Sequence, residues 1–229
     1  MGARRVQISL IIPALDEALA LPQTLRSVRS QKCAALIEII VADGGSRDDT
    51  GALAQQLGAQ VVSGAQGRAR QLNLGAAAAS GDVLLFLHAD TELPANGLAQ
   101  VEAAVSSGAV WGRFDVRIQG RARMLRIVAF LMNWRSRLTG IATGDQAMFM
   151  TRAAFDAVAG YPDQALMEDI EMSRRLKRLR SPVCLRGPAI TSGRRWETRG
   201  VWRTTLLMWR LRWSYWRGTP PDQLAQRYR

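Results

Sequence analysis

Val83-Leu84-Leu85-Phe86-Leu87-His88-Ala89-Asp90-Thr91 decides the fold. Five apolar residues run without interruption into an imidazole, a carboxylate and a hydroxyl. The run is bounded by Ser80-Gly81-Asp82 before it and Pro94 after it, so it reads as a short strand buried on both faces. Ligands in open α/β sheets bind just beyond the carboxyl ends of such strands. Asp90 therefore stands where a buried strand emerges into a crevice, a position suited to a metal or a phosphate.

The segments around this strand alternate in type. Strands are predicted at 7–13, 37–42 and 60–63, separated by helices at 16–31, 48–57 and 66–79. Such alternation means βαβ units and a parallel sheet. A helix at 98–106 and an extended segment at 108–118 follow. Beyond residue 120 the pattern changes. A basic helix with an apolar face is expected at 121–139, a short strand at 147–150, helices at 153–159 and 168–179, and a last strand at 183–191. No linker or internal repeat interrupts the chain. The expected fold class is α/β: one domain over 1–229, with a mostly parallel central sheet flanked by helices and basic helices at the C-terminal end.

The chain has 229 residues, 48% of them hydrophobic, which is enough for one substantial core. Its formal charge of +12 is unevenly spread. Residues 1–100 hold 8 Lys/Arg against 9 Asp/Glu, whereas 101–229 hold 23 against 10. The excess is nearly all Arg and must meet something anionic, such as substrate phosphates, a lipid surface or nucleic acid. Cys33 and Cys184 make neither a disulfide framework nor a metal site. Residues 1–5 lead straight into a strand pattern, so no signal peptide is expected. The longest apolar run, 127–132, is too short to span a bilayer. A cytoplasmic protein, soluble or peripheral at the membrane, is the expectation.

Several turns share the strand-end edge. Asp43-Gly44-Gly45-Ser46-Arg47-Asp48-Asp49-Thr50 follows a buried strand and opens a helix. Its glycines allow close backbone approach, and Asp43 either accepts from a base or ribose or only braces the turn. Pro13-Ala14-Leu15-Asp16-Glu17 brings two carboxylates to the same edge. Gly67-Arg68-Ala69-Arg70-Gln71-Leu72-Asn73 opens a helix whose N-terminus and arginines favour an anion. Leu166-Met167-Glu168-Asp169-Ile170-Glu171 places three carboxylates at a helix start. The helix dipole alone favours acids there, and a carboxylate near a cleft also serves as a general base. Gly144-Asp145-Gln146 is a polar turn able to line an acceptor pocket, and Arg194-Arg195-Trp196 adds fixed charge and an aromatic plane. The predicted helix 200–217 carries Trp202, Leu206, Trp209, Trp213 and Trp216 in one stripe with arginines at its margins. Core packing is the ordinary reading of that stripe, a membrane-interface helix its rival, and base stacking a distant third.

Taken together, these motifs resemble a family-2 glycosyltransferase of the GT-A fold, over nearly the whole chain. Ile11-Ile12-Pro13-Ala14-Leu15-Asp16-Glu17 is similar to the family's opening strand and turn, and Asp43 to Thr50 to its D-D-G-S-x-D-x-T element. His88-Ala89-Asp90 stands in place of its D-x-D, and Glu168-Asp169 in place of its E-D. The full string is similar to a bacterial subgroup called selenodomain-associated transferases. The resemblance implies inverting transfer of a sugar from a UDP- or GDP-sugar to a hydroxyl or phosphate acceptor. It implies that Pro13, Ala14, Glu17, Asp43, Arg70 and Asn73 surround the nucleotide, in a half spanning 1–118. It further implies that Asp90 holds Mg²⁺ or Mn²⁺ on the diphosphate, that Asp169 is the general base and that Glu168 shapes the acceptor side. Residues 119–229 become the acceptor half. Gly144, Asp145, Gln146, Arg195 and Trp196 are then the acceptor and diphosphate residues, Arg195-Trp196 resembling the end of a Q-x-x-R-W motif in which Ser192 replaces the Gln.

Two departures stand out. His88 replaces the first Asp of D-x-D, so it either ligates the metal or braces its ligands from behind. Gly44 replaces the second Asp of the nucleotide element. The alternatives are a nucleotidyltransferase, and a non-catalytic module binding nucleotide-sugar, membrane or RNA. The first lacks its Gly-rich basic loop after the opening strand, where Pro13 to Glu17 stand instead. The expected partners are a nucleotide-sugar donor, an acceptor that includes a lipid phosphate among its options, and a membrane surface, with no nucleic acid.

Overall fold

The computed structural model describes residues 6–31 and 33–228. Eight strands form one sheet in the order β3-β2-β1-β4-β7-β6-β8-β5. They are β1 (Ile8–Ala14), β2 (Leu36–Asp43), β3 (Gln60–Ser63), β4 (Val83–Phe86), β5 (Thr91–Glu92), β6 (Trp111–Gln119), β7 (Met148–Thr151) and β8 (Val183–Ser192). Ile8, Leu10, Ile11, Ile12 and the whole of β4 are buried, so β1 and β4 lie side by side and parallel at the sheet centre. β2 and β3 extend the parallel run, and β6 pairs parallel with β8. The β4–β7, β6–β7 and β5–β8 pairs are antiparallel. The sheet is thus mostly parallel, as the alternating pattern implies.

Helices α1 (Leu21–Arg29), α2 (Thr50–Gln56) and α3 (Arg68–Ala78) are the crossovers between the first four strands. Side-chain alternation along β1 sorts the core into two layers. Ile8, Leu10 and Ile12 pack with Leu21, Leu25 and Val28 of α1 and with Leu98 and Val101 of α4 (Gly97–Ser106). Ile11 faces the other way, onto Ala69, Leu72 and Ala76 of α3. Phe155 of α6 (Arg152–Ala157), and Met172 and Leu176 of α7 (Glu168–Leu179), complete that second layer.

The helix expected from residue 16 begins at Leu21. The backbone N–H groups of Asp16, Glu17 and Ala18 are taken by Ser46 Oγ, Thr50 Oγ1 and Asp48 Oδ2, and Asp16 has a left-handed φ of 54°. These bonds fold the segment as a turn, and the helix starts at the next proline. β5, α8 (Arg194–Arg199) and α10 (Pro221–Tyr228) were not expected from the sequence. Residues 1–5, where a signal peptide was judged absent, lie outside the described residues.

α5 (Met124–Thr139) and α9 (Val201–Trp216) pack against each other in the C-terminal part. Leu125, Val128 and Ala129 of α5, and Leu211 of α9, are buried, whereas the Trp202–Leu206–Trp209–Trp213–Trp216 stripe is 57% to 70% exposed. Ile127, Phe130, Leu131, Trp134 and Leu138 form a second exposed apolar face on α5. The Trp stripe is therefore not core packing, which corrects the ordinary reading of its period. Among the described residues, no helix is long and apolar enough to cross a membrane.

Candidate active site

The carboxyl ends of β1 and β2 are locked to each other. Gly44 N donates to Ala14 O (3.0 Å), Arg47 N to Asp16 Oδ1 (2.8 Å), and Gln71 Nε2 of α3 to both Ala14 O (2.7 Å) and Ala42 O (3.0 Å). A Cβ at Gly44 would lie 2.9 Å from the Gln71 side chain. Gln71 thus occupies the space that a larger residue 44 needs, which accounts for the glycine. The Asp43 carboxylate accepts from Ser46 N (3.1 Å) and Ser46 Oγ (2.5 Å), so it braces this turn. Pro13 and Ala14 contribute backbone to the same floor.

The chain leaving β4 carries His88 and Asp90. His88 Nδ1 lies 3.2 Å from Asp145 Oδ1, and its Nε2 edge abuts Gly144, where any Cβ would overlap the ring. Gly144 therefore fits only as glycine beside this histidine. Its N–H donates to Asp169 Oδ2 (3.0 Å), while Asp169 Oδ1 accepts from Ile170 N (2.7 Å). Met167, buried and left-handed at φ 67°, turns the chain into α7 and aims Glu168 and Asp169 at the cleft. The helix dipole favours negative charge at this end. Arg68 Nη1 lies 3.7 Å from Glu168 Oε1. Arg68, His88, Gly144, Tyr161, Glu168 and Asp169 line one pocket together. Arg68 and Asp145 keep 51% and 39% of their side-chain surface, yet neighbouring protein atoms surround both, so the surface they keep lines a concavity.

Electrostatics differ sharply across this pocket. Burial, then the Asp169 charge, pushes the Glu168 carboxyl above its ordinary value, against the pull of Arg68. Burial also opposes charge on Asp145, but the His88 contact and the Arg68 and Arg212 guanidiniums outweigh it and hold that carboxyl low. Tyr161 is buried among carboxylates, which raises its phenol well above its ordinary value.

A second concavity is lined by Gln23, Asp90, Glu92, Ser192 and Arg194. Burial, then the Asp90 charge, raises the Glu17 carboxyl, while Arg194 at 3.6 Å opposes this. Glu17 also feels His88, as does Glu168, so the imidazole stands electrostatically between the two concavities. Among the described residues, no three His, Cys, Asp or Glu side chains converge to hold an ion unaided. The donor set available is Asp90 with Glu17 nearby. One or two carboxylates completed by substrate phosphate oxygens are how Mg²⁺ is commonly held, so the residues fit a hard divalent ion shared with a diphosphate. His88 has Nδ1 facing Asp145 and its Nε2 edge against Gly144.

Several expected site residues have other partners. Arg70 Nε donates to Asp163 (2.9 Å) on the exposed surface. Both ends of the Asn73 amide are bonded to the Tyr161 backbone, at 2.8 Å each. Gln146 is fully buried and bonds Thr143 N (3.2 Å). Arg195 stacks on the Tyr228 ring at 3.8 Å and donates to its hydroxyl. Trp196 packs with Ile118, Leu125 and Val128. These bonds hold the side chains in structural contacts within the chain. Sequence reading missed Tyr228, named Arg68 and Gln71 only within their helix, and named Arg194 only as fixed charge beside Arg195. A buried amide and a C-terminal phenol carry no motif.

Comparison with known proteins gives the family and the fold. Residues 9–159 match the family described as glycosyl transferase family 2. An uncharacterized glycosyltransferase of Mycobacterium tuberculosis is 32% identical over 198 residues, covering 78% of this chain and 72% of that protein. Staphylococcus aureus TarS 1-349 in complex with UDP-GlcNAc superposes with a TM-score of 0.66 at 14% identity, covering 81% of this chain and 58% of that one. The mannosyltransferase PcManGT of Pyrobaculum calidifontis, in complex with GDP-Man and Mn²⁺, gives 0.66 at 18% identity, covering 98% and 69%. Some relatives are much longer. The chain spans 23% of a TPR repeat-containing protein of Synechococcus elongatus that it matches at 42% identity over 95 residues.

Proposed function

The chain belongs to glycosyl transferase family 2 and is a glycosyltransferase, and from that premise we propose that it moves a sugar from a nucleotide diphosphate donor to an acceptor oxygen with inversion at the anomeric carbon. The single observation that carries this reading is the setting of Asp169. Its carboxylate is fixed by Gly144 N–H at a helix N-terminus, and it shares a cleft with Arg68, His88 and Glu168. The acceptor O–H attacks the anomeric carbon as the bond to the diphosphate breaks, and Asp169 takes the proton. Buried Glu168, its charge disfavoured, shapes the acceptor side. A divalent metal would rest on Asp90 and the diphosphate oxygens and relieve charge on the leaving group. Arg194, against Glu17, adds cationic character on the same side.

That proteins of this fold bind UDP-GlcNAc, or GDP-Man with Mn²⁺, supports a UDP- or GDP-sugar as donor and Mg²⁺ or Mn²⁺ as the ion. Residues 1–118 form the nucleotide half, with Pro13, Ala14, Glu17 and Asp43 as its floor, and 119–229 the acceptor half. The exposed Trp stripe and its flanking arginines suit peripheral contact with the inner face of the cell membrane.

A thermal-shift panel of UDP- and GDP-sugars with and without Mn²⁺ tests donor and metal together, because a ligand of the folded form raises its midpoint. We expect one nucleotide class to stabilise in a Mn²⁺-dependent way. Asp169→Asn should keep that shift and lose turnover by about 10²–10⁴-fold. A panel with no responding nucleotide would overturn the reading.

A further inference from the structure

Two arginines beside the candidate base lack a bonded counter-charge. Arg135 lies on α5 and Arg212 on α9. Nε and Nη2 of Arg135 and Nε of Arg212 are buried, and none has a hydrogen-bond partner among the described residues. Ser136 Oγ and Thr204 Oγ1, on the same two helices, are buried and unpartnered too. Burial, then repulsion from Arg212, draws Arg135 down to about 10. Both guanidiniums feel Asp169, and Arg212 also feels Asp145. Those carboxylates are already engaged, by Gly144 N, Ile170 N and His88. Arg113 makes the contrast: it is fully buried and its Nε is likewise unpartnered, but its terminal nitrogens are paired with Asp115 and bonded to Asn133 O.

Two neighbouring half-buried cations whose buried N–H groups are idle are costly unless something anionic completes them. We propose that Arg135 and Arg212 form an anion subsite beside Asp169 that binds a phosphate group carried by the acceptor. A phosphate monoester brings nearly two negative charges and three terminal oxygens, which suit two guanidiniums. The donor diphosphate belongs on the other side of His88, where Asp90, Glu17 and Arg194 lie. The subsite rests on the glycosyl-transfer reading for its acceptor role, whereas phosphate binding stands by itself.

The test compares the full chain with Arg135→Gln, Arg212→Gln and Arg135→Lys by thermal shift. Probes are inorganic phosphate, glycerol 3-phosphate, and phosphatidylcholine vesicles with or without phosphatidic acid. The wild type should respond saturably to a phosphate probe, each Gln variant should bind at least about tenfold more weakly, and Arg135→Lys should keep most of the response. A response to glycerol 3-phosphate assigns a soluble phosphorylated acceptor, and one confined to phosphatidic acid vesicles assigns a lipid phosphate. Without ligand, both Gln variants should melt at or above the wild type, because one of two repelling buried charges is gone; a merely structural arginine would melt lower. No saturable wild-type response to any probe, or an undiminished response in both Gln variants, overturns the subsite. UDP and GDP titrated with Mn²⁺ in parallel keep the two ideas apart. Nucleotide binding without phosphate binding removes the subsite alone, whereas phosphate binding without nucleotide binding removes the transferase reading.

Discussion

Gly144 joins two functional residues through one backbone unit. Its missing side chain makes room for the His88 ring, and its N–H fixes Asp169. Gly144→Ala should therefore destabilise by about 1–3 kcal/mol and lower turnover, because an added methyl in a filled space forces the imidazole aside. Adding His88→Ala should restore most of the lost stability; a double variant as unstable as Gly144→Ala in denaturant melts would show that the ring is not the obstacle. Glu168 gives a prediction in pH. Its carboxyl lies above the ordinary 4.5 because of burial and then Asp169. The folded chain holds this proton more tightly than the unfolded one, so its stabilising effect is full below pH 4.5 and fades as pH rises through the raised value. Glu168→Gln does not titrate, so its stability relative to wild type should improve as pH climbs over that interval, as read from urea melts in a buffer series. At this scale, the strand-end carboxylates were legible because short apolar runs point to sheet edges. Whether each faced the cleft was not. The Asp43 carboxylate braces its own turn through Ser46, and the Asn73 amide bonds a backbone 88 residues away, contacts that no motif announces.

Elements were legible where a strong period met clear punctuation. The bounds expected for β3 and α7 match the observed ones, since turn residues or acids mark both ends. α8 and α10 carry no long apolar period of their own. They are ordered by Arg195 stacking on Tyr228 and by Leu224 entering a small core, both contacts remote in sequence. The period of α9 was read correctly, but its direction could not be. A helix with Trp on one face and Leu207, Met208 and Leu211 on another is amphipathic either way. Only packing against α5 and α10 shows which face is left to solvent. If that face meets anionic lipid, Trp209→Glu with Trp213→Glu should abolish flotation with anionic liposomes while changing stability by less than about 0.5 kcal/mol, as exposed substitutions do. Flotation of the wild type should weaken as salt is raised. Unchanged flotation in the double variant would assign the stripe to another partner.

Across the whole molecule, the near-neutral first hundred residues supply β1 to β4 on one side of the sheet and β5 at its far edge, and the Arg-rich remainder supplies β7, β6 and β8 between them. The C-terminal helices do more than carry charge. Met167, Leu211 and Leu224 are buried together, with Ile170, Leu207 and Tyr215 packed around them. This cluster clamps both flanks of Glu168-Asp169 from the far end of the chain. The parallel β1–β4 unit and its nucleotide turns lie in a different core. Loosening the clamp should therefore disturb chemistry before donor binding. Leu224→Ala leaves a cavity at a fully buried position and should cost about 2–4 kcal/mol. With Asp169 less firmly aimed, turnover should fall at least about tenfold while nucleotide affinity changes by less than about threefold. Denaturant melts, nucleotide titration calorimetry and steady-state rates on one preparation separate the three quantities. An equal loss of affinity and rate would mean that the C-terminal clamp supports the nucleotide floor as well, and that the two halves of the chain work as one unit.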